Sequence, residues 1–150
     1  VAGSEEGFVA LMNEKAQQLG MKDTHFTNVV GLHDDNHYST PWDLAMLEKA
    51  ALYNETFREI FSTKSYTTES ASRLTFTSRM FDRMKSPIFD GGEVLGGKTG
   101  YTEEAALCLA SYATDGENEY LLVTTHADGN PYTPQYHVLD ALEAYDYFLQ

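Results

Sequence analysis

Cysteine occurs once in these 150 residues, at Cys108. An internal disulfide framework is therefore excluded, and the thiol, standing between Leu107 and Leu109, reads as a small buried apolar side chain rather than a reactive centre. Basic residues are scarce: ten Lys and Arg against 23 Asp and Glu leave a formal charge of −13. A surface of that sign repels phosphodiester backbones and anionic membranes, so nucleic acid is not an expected partner. No apolar run approaches the roughly 20 residues needed to cross a bilayer, so no membrane segment is expected. The opening VAGSEEGF has neither a basic start nor a hydrophobic stretch and does not read as a signal peptide; beginning on Val1, the chain reads as a processed or excised piece. What remains is ordinary globular usage, 42% hydrophobic and 22% charged, at a length that suits one domain.

The first 63 residues read as mainly helical. Phe8, Leu11, Met12, Ala16 and Leu19 recur at helical spacing over 5–19, with Gly20 as the stop. The turn-rich KDTHFTNVVGLHDDNHYST follows as an ordered loop. Thr40 is placed to cap a second helix, with Pro41 at its first position and Asp43 at the positive end of its dipole. Leu44, Ala45, Leu47, Ala50, Ala51 and Leu52 supply its apolar stripe, and a short helix over 55–61 comes next. From Lys64 the chain turns to Thr, Ser, Tyr and Phe, which suit strands. ALCLASYAT and EYLLVTTHA, separated by Asp115-Gly116-Glu117-Asn118, predict an antiparallel hairpin. After Pro134, the residues Tyr136, Leu139, Leu142, Tyr145 and Leu149 predict a packing helix. Helices, two or three antiparallel strands and a closing helix make an α+β architecture.

The stretch GGEVLGGKTGYT at 91–102 carries two chemistries at once. Gly92 to Thr99 matches G-x-x-x-x-G-K-T, the spelling of a phosphate-binding loop. That loop needs a buried strand before Gly92 and a helix starting at Lys98. Pro87 and Asp90 interrupt the strand, and Gly100 would fall in the helix's first turn at a cost of about 1 kcal/mol. The triplet Lys98-Thr99-Gly100 instead suits serine acyl-transfer enzymes if 96–102 lies extended along a sheet edge. There the lysine offers charge to a substrate carboxylate, the threonine a hydroxyl, and the glycine close approach to the backbone. On this reading Gly92 is a turn residue and Gly97 leads into the strand.

With FVALMNEKAQQLGMKDTHFTNVVGLHDDNHYSTPWDLAML at 8–47 and GGKTGYTEEAALCLASYA at 96–113, the chain resembles the serine-type D-alanyl-D-alanine carboxypeptidases, the low-molecular-weight penicillin-binding proteins of the peptidase S11 family. The resemblance implies a β-lactamase/transpeptidase-like fold, helices against an antiparallel sheet, present in part. Residues 1–150 would be the C-terminal part of a single catalytic domain, helical over 1–63 and strand-rich with a final helix over 64–150. It implies a serine and lysine from an S-x-x-K motif, a second serine and an asparagine from S-x-N, and no cofactor or metal. Substrate binding would fall to Lys98, Thr99, Gly100, Tyr101 and Thr102, with the Tyr101 N–H as one oxyanion donor. The substrate would be a peptidoglycan stem peptide ending in D-Ala-D-Ala, with β-lactams as ligands of the complete domain and an extracytoplasmic location in the cell envelope or outside the cell.

No serine here is followed three positions later by lysine, and none stands two before an asparagine. In the family that the chain resembles both motifs precede the F-V-x-L-M-N segment, so the resemblance implies a catalytic serine and lysine upstream of Val1, and the isolated chain is expected to be inactive. A non-catalytic cell-wall or β-lactam-binding module is the alternative, and a nucleotide hydrolase a distant one. TFTSRMF at 75–81 departs from the family, where an asparagine-rich stretch is common, and no substrate contact is carried over to it. His25, His33, Asp34, Asp35 and His37 follow no familiar metal-ligand spacing, and such loop residues cap and bond the backbone. Glu5-Glu6 and Glu103-Glu104 read as solvated surface. Tyr132, Tyr136, Tyr145 and Tyr147 read as packing of the last helix rather than a sugar-binding surface.

Overall fold

A computed structural model describes residues 1–149. Helix α1 spans Glu5–Gln18, begun by Ser4, whose Oγ accepts from the Gly7 N–H at 3.0 Å, and followed by Gly20 at φ +76°. Its expected apolar stripe is not buried as a stripe. Ala16 is, but Phe8 and Leu11 remain 39% and 47% exposed, because no element of this chain lies over them.

Helix α2, Pro41–Leu52, starts as the sequence predicts, with the Thr40 Oγ1 accepting from the Asp43 N–H at 3.2 Å. Asp43 also acts beyond the dipole. Its buried carboxylate accepts from the Asp23 N–H and the Thr24 hydroxyl, both at 2.8 Å, and so anchors the preceding loop. Of the expected stripe Leu52 is fully buried and the others half-buried, while Glu48 takes a deep position that the apolar pattern assigned to no acid. Helix α3, Glu55–Ser62, is capped by Asn54.

Strands β1, Ser65–Thr67, and β2, Thr75–Thr77, form a separate hairpin. A helix α4 that the sequence did not announce, Arg79–Arg83, follows it. The main sheet is wholly antiparallel in the order β3-β4-β5-β6, from Ile88–Phe89, Gly92–Thr102, Ala106–Thr114 and Glu119–Ala127. The β5–β6 hairpin has the predicted limits, and strand pairing starts at Ser65, beside the Lys64 from which the sequence turns to strand formers, but the strand count exceeds the two or three expected, since three-residue β1 and β2 and two-residue β3 are too short to be read singly.

Helix α5, Tyr136–Phe148, closes the fold with part of the predicted stripe. Tyr145 is buried and Leu142 and Leu149 pack against the core, whereas Tyr136 and Leu139 face out, and His137, Val138 and Ala141, which the sequence did not single out, are buried beside Tyr145. Val138 and Ala141 pack with Met80, Met84, Val94, Leu109 and Ala113 in one core. Tyr145 joins them with its hydroxyl donating to the Ser111 carbonyl at 2.9 Å, which satisfies the one polar atom it buries. Packing thus accounts for Tyr145 but not for Tyr132, Tyr136 and Tyr147, which are exposed.

Candidate active site

Strand β4 owes its aim to one irregularity. Val94 pairs with Ala113 but Gly96 with Tyr112, so Leu95 is the extra residue of a β-bulge. Each later side chain is thereby turned to the face opposite the one an unbroken strand would give it. Lys98, opposite Ala110, shares its face with Tyr112 rather than with the α5 core. Tyr112 is where the helices meet the sheet: Phe61 of α3 stacks on its ring at 6.1 Å, and the Ser62 and Tyr112 hydroxyls share a hydrogen bond at 2.5 Å.

The two glycines ahead of Lys98 are sites of contact, not of turning. A side chain at Gly96 would meet the Phe61 carbonyl oxygen and the Tyr112 ring, each at 2.7 Å. One at Gly97 would run into the Met80 sulfur. The turn belongs to Gly91, at φ +98°, while Gly92 already pairs with Phe89 inside the sheet; the expectation of a turn at Gly92 is corrected accordingly. Gly97 likewise stands within β4 rather than leading into it. Because Lys98 lies mid-strand, no helix N-terminus exists there to hold phosphates, and the nucleotide reading fails on geometry.

One edge of β4 is paired with β5 from Glu93 to Thr102. The other meets β3 only at Gly92 and Glu93, so from Gly96 onward no strand of this chain covers it. Lys98, Gly100 and Tyr101 are exposed and Thr99 is half-buried. The Lys98 ammonium donates to the carbonyl of Thr99, and among the described residues no carboxylate pairs with it. Thr102 is otherwise engaged: its hydroxyl accepts from the Ala105 N–H at 3.0 Å and shapes the β4–β5 turn. Cys108 faces Gly100 across the strands, half-buried rather than buried, its thiol donating to the Ala105 carbonyl at 3.3 Å.

The 22–40 loop approaches the same turn. It is closed by paired backbone bonds between His25 and Tyr38 and held to α1 by Asn13, whose amide group exchanges two 2.8 Å bonds with Phe26. The Asn28 side-chain oxygen accepts from the amides of Val30, Gly31 and Leu32. His33 lies 3.6 Å from Asp35 and 4.0 Å from Glu104, which links the loop to the turn after Thr102. His37 accepts from the Thr27 N–H, and burial depresses its pKa despite the opposing pull of Asp34. His25 and His37 thus bond the loop's own backbone while His33 faces carboxylates, and among the described residues no three potential ligands gather into a metal site.

Helices against an antiparallel sheet give this chain a transpeptidase-like fold. The family model described as D-alanyl-D-alanine carboxypeptidase matches residues 1–129, and the chain belongs to that family. The carboxypeptidase DacF of Bacillus subtilis is 37% identical over 127 residues, 82% of this chain and 31% of that protein. DacD of Escherichia coli is 33% identical over 129 residues, 85% of this chain and again 31% of its own length. Among solved structures, the D-alanyl-D-alanine carboxypeptidase of Mycobacterium tuberculosis superposes with a TM-score of 0.73 at 26% identity, covering 95% of this chain and 55% of that one. The Streptomyces K15 DD-transpeptidase gives 0.73 at 26% identity over 94% and 54%. The chain thus spans about a third of the curated relatives' length and about half of the solved chains.

Proposed function

We propose that this chain is the C-terminal part of a serine-type D-Ala-D-Ala carboxypeptidase domain and supplies the substrate-binding edge of its active site but not its nucleophile. The observation that carries the reading is the edge of β4 left without a strand from Gly96 onward among the described residues, bearing a Lys98 that pairs with no carboxylate there, in a chain of this family. A stem peptide laid along that edge would present its terminal carboxylate to Lys98 and Thr99, a charge-assisted contact. A serine from the S-x-x-K segment attacks the carbonyl carbon of the penultimate D-alanine, and its proton passes to the motif's lysine. The oxyanion of the tetrahedral intermediate accepts from the Tyr101 N–H and from the amide of the serine itself, donors worth roughly 3–4 kcal/mol each in comparable sites. Collapse breaks the C–N bond, the departing D-alanine takes the proton, and water then releases the acyl group. The peptidoglycan substrate implies a location outside the cytoplasmic membrane, and β-lactams would enter the complete site as mimics of the terminal dipeptide.

The test is hydrolysis of a D-Ala-D-Ala-terminated peptide by the longer protein that carries this chain behind S-x-x-K and S-x-N. Lys98→Ala in that protein should lower kcat/KM by about 10- to 100-fold, the loss of one hydrogen bond to a charged group. Turnover or penicillin acylation by the isolated 150-residue chain would refute the divided site. No turnover by the longer protein would favour a binding module that has kept the strand alone.

A further inference from the structure

The β1–β2 hairpin buries none of its residues, so no core explains it. Its register pairs Ser65 with Thr77, Tyr66 with Phe76 and Thr67 with Thr75, and the Thr68 N–H donates to the Leu74 carbonyl one step further out. Alternation therefore sorts it into two faces. One carries four hydroxyls, from Ser65, Thr67, Thr75 and Thr77. The other carries Tyr66, Phe76 and Leu74, which are 58%, 59% and 55% exposed. An amphipathic hairpin ordinarily turns such a face to a core; here both faces meet solvent.

Charge and position narrow what could cover it. Residues 64–85 hold Lys64, Arg73, Arg79, Arg83 and Lys85 against Glu69 and Asp82, a local charge of five minus two, +3, in a chain of −13. Lys64 is spent on Glu93 at 3.4 Å, whereas Arg73 at the tip and Arg79 just past the root make no ion pair or side-chain hydrogen bond among the described residues. The hairpin is rooted beside the candidate site. It springs from the end of α3, whose Phe61 carbonyl lies against Gly96, and returns into α4, whose Met80 lies against Gly97. Both roots therefore flank the residues immediately before Lys98.

We propose that the hairpin is an outer docking platform for the glycan strand of the same peptidoglycan substrate, with Tyr66 and Phe76 stacking on sugar rings and Arg73 and Arg79 meeting the polymer's carboxylates. The inference rests on the proposed function for its ligand, but not for its test. Exposed aromatic rings favour a ligand with flat apolar faces and polar rims, and free guanidinium groups favour carboxylates. The rest of the molecule repels an acidic polymer, so attraction is confined to this patch.

The experiment is co-sedimentation of the 150-residue chain with purified peptidoglycan sacculi and with glycan strands stripped of their peptides. Tyr66→Ala/Phe76→Ala should lower retention on both by about tenfold or more, as truncated aromatic anchors do. Arg73→Gln/Arg79→Gln should weaken it and flatten its salt dependence. Tyr66→Phe should keep binding, and an unchanged melting temperature in all variants would show that the core is intact. Retention of the stripped strands by the hairpin variants at the wild-type level overturns the platform and leaves the carboxypeptidase reading standing. Hairpin-dependent retention together with no peptide hydrolysis by the longer protein upholds the platform and removes the enzyme. Hairpin-dependent self-association without glycan binding also overturns it.

Discussion

Gly96 and Gly100 lie four residues apart on one face of one strand, yet their surroundings ask different things of them. A methyl group at Gly96 would press on a backbone carbonyl and a buried ring, neither of which can swing away, whereas at Gly100 it would meet only the Cys108 Cβ at an ordinary 3.8 Å. Gly96→Ala should therefore cost about 1–3 kcal/mol, the usual range for overpacking. Gly100→Ala should unfold within about 0.5 kcal/mol of the parent, as an uncrowded surface change does. Urea unfolding of the two variants checks the contrast; equal losses would mean that strand propensity, not contact, sets the cost. Any fall in peptide hydrolysis from Gly100→Ala in the complete domain could then be assigned to the ligand's approach rather than to folding. The lysine and threonine of this strand were legible because the chemistry proposed for them calls for a charge and a hydroxyl in that order; Tyr101 entered only through the family resemblance, since the backbone N–H proposed for it asks for no particular side chain. The reason for Gly96 was not legible, since it lies in residues 35 and 16 positions away along the chain.

Helix α2 carries its own instability in Glu48. The side chain is 5% exposed, and neither carboxylate oxygen has a hydrogen-bond partner. Burial alone pushes its pKa from 4.5 up to about 8, and Tyr145, whose pKa is raised chiefly by its own burial, is raised a little further by the Glu48 charge. An acid held neutral in the fold but free to ionise when unfolded favours the native state fully below about pH 4.5, and that advantage disappears as pH rises to about 8. At 1.36 kcal/mol per unit the loss is about 4–5 kcal/mol. Glu48→Leu should thus raise the melting temperature at pH 8 far more than at pH 5, and a pH-independent gain would show the carboxylate to be solvated or paired. Apolar periodicity located α2 and its cap but could not find this residue, because LAMLEKAAL tolerates a charge anywhere its helical wheel faces solvent. The same indifference hid the burial of Val138 and Ala141 in α5 and the bulge at Leu95. Periodicity finds an element and leaves its rotation to whichever neighbour packs closest.

At the scale of the molecule, some of the outward apolar groups, Phe8 and Leu11 among them, are ones that the sequence placed on a buried stripe. Phe8 and Leu11 keep the spacing of a buried stripe, and Trp42 and Ile60 are exposed on neighbouring helices, while the α5 side of the sheet is fully packed. Exposed apolar surface of this extent marks an interaction face. On the proposed function its partner is the preceding segment of the same domain, which also brings the serine to the open edge of β4. A segment bearing S-x-x-K and S-x-N, expressed as a separate chain and mixed with this one, should therefore restore labelling by a fluorescent penicillin that neither piece shows alone. Leu11→Asp should abolish the labelling by blocking assembly, and Lys98→Ala should weaken it with assembly intact. Gel filtration separates the two effects, because only the first removes the complex. If the pieces associate and Leu11→Asp does not interfere, the α1 face belongs to another partner. If they associate and never label, the open edge of β4 is not the second wall of a serine site.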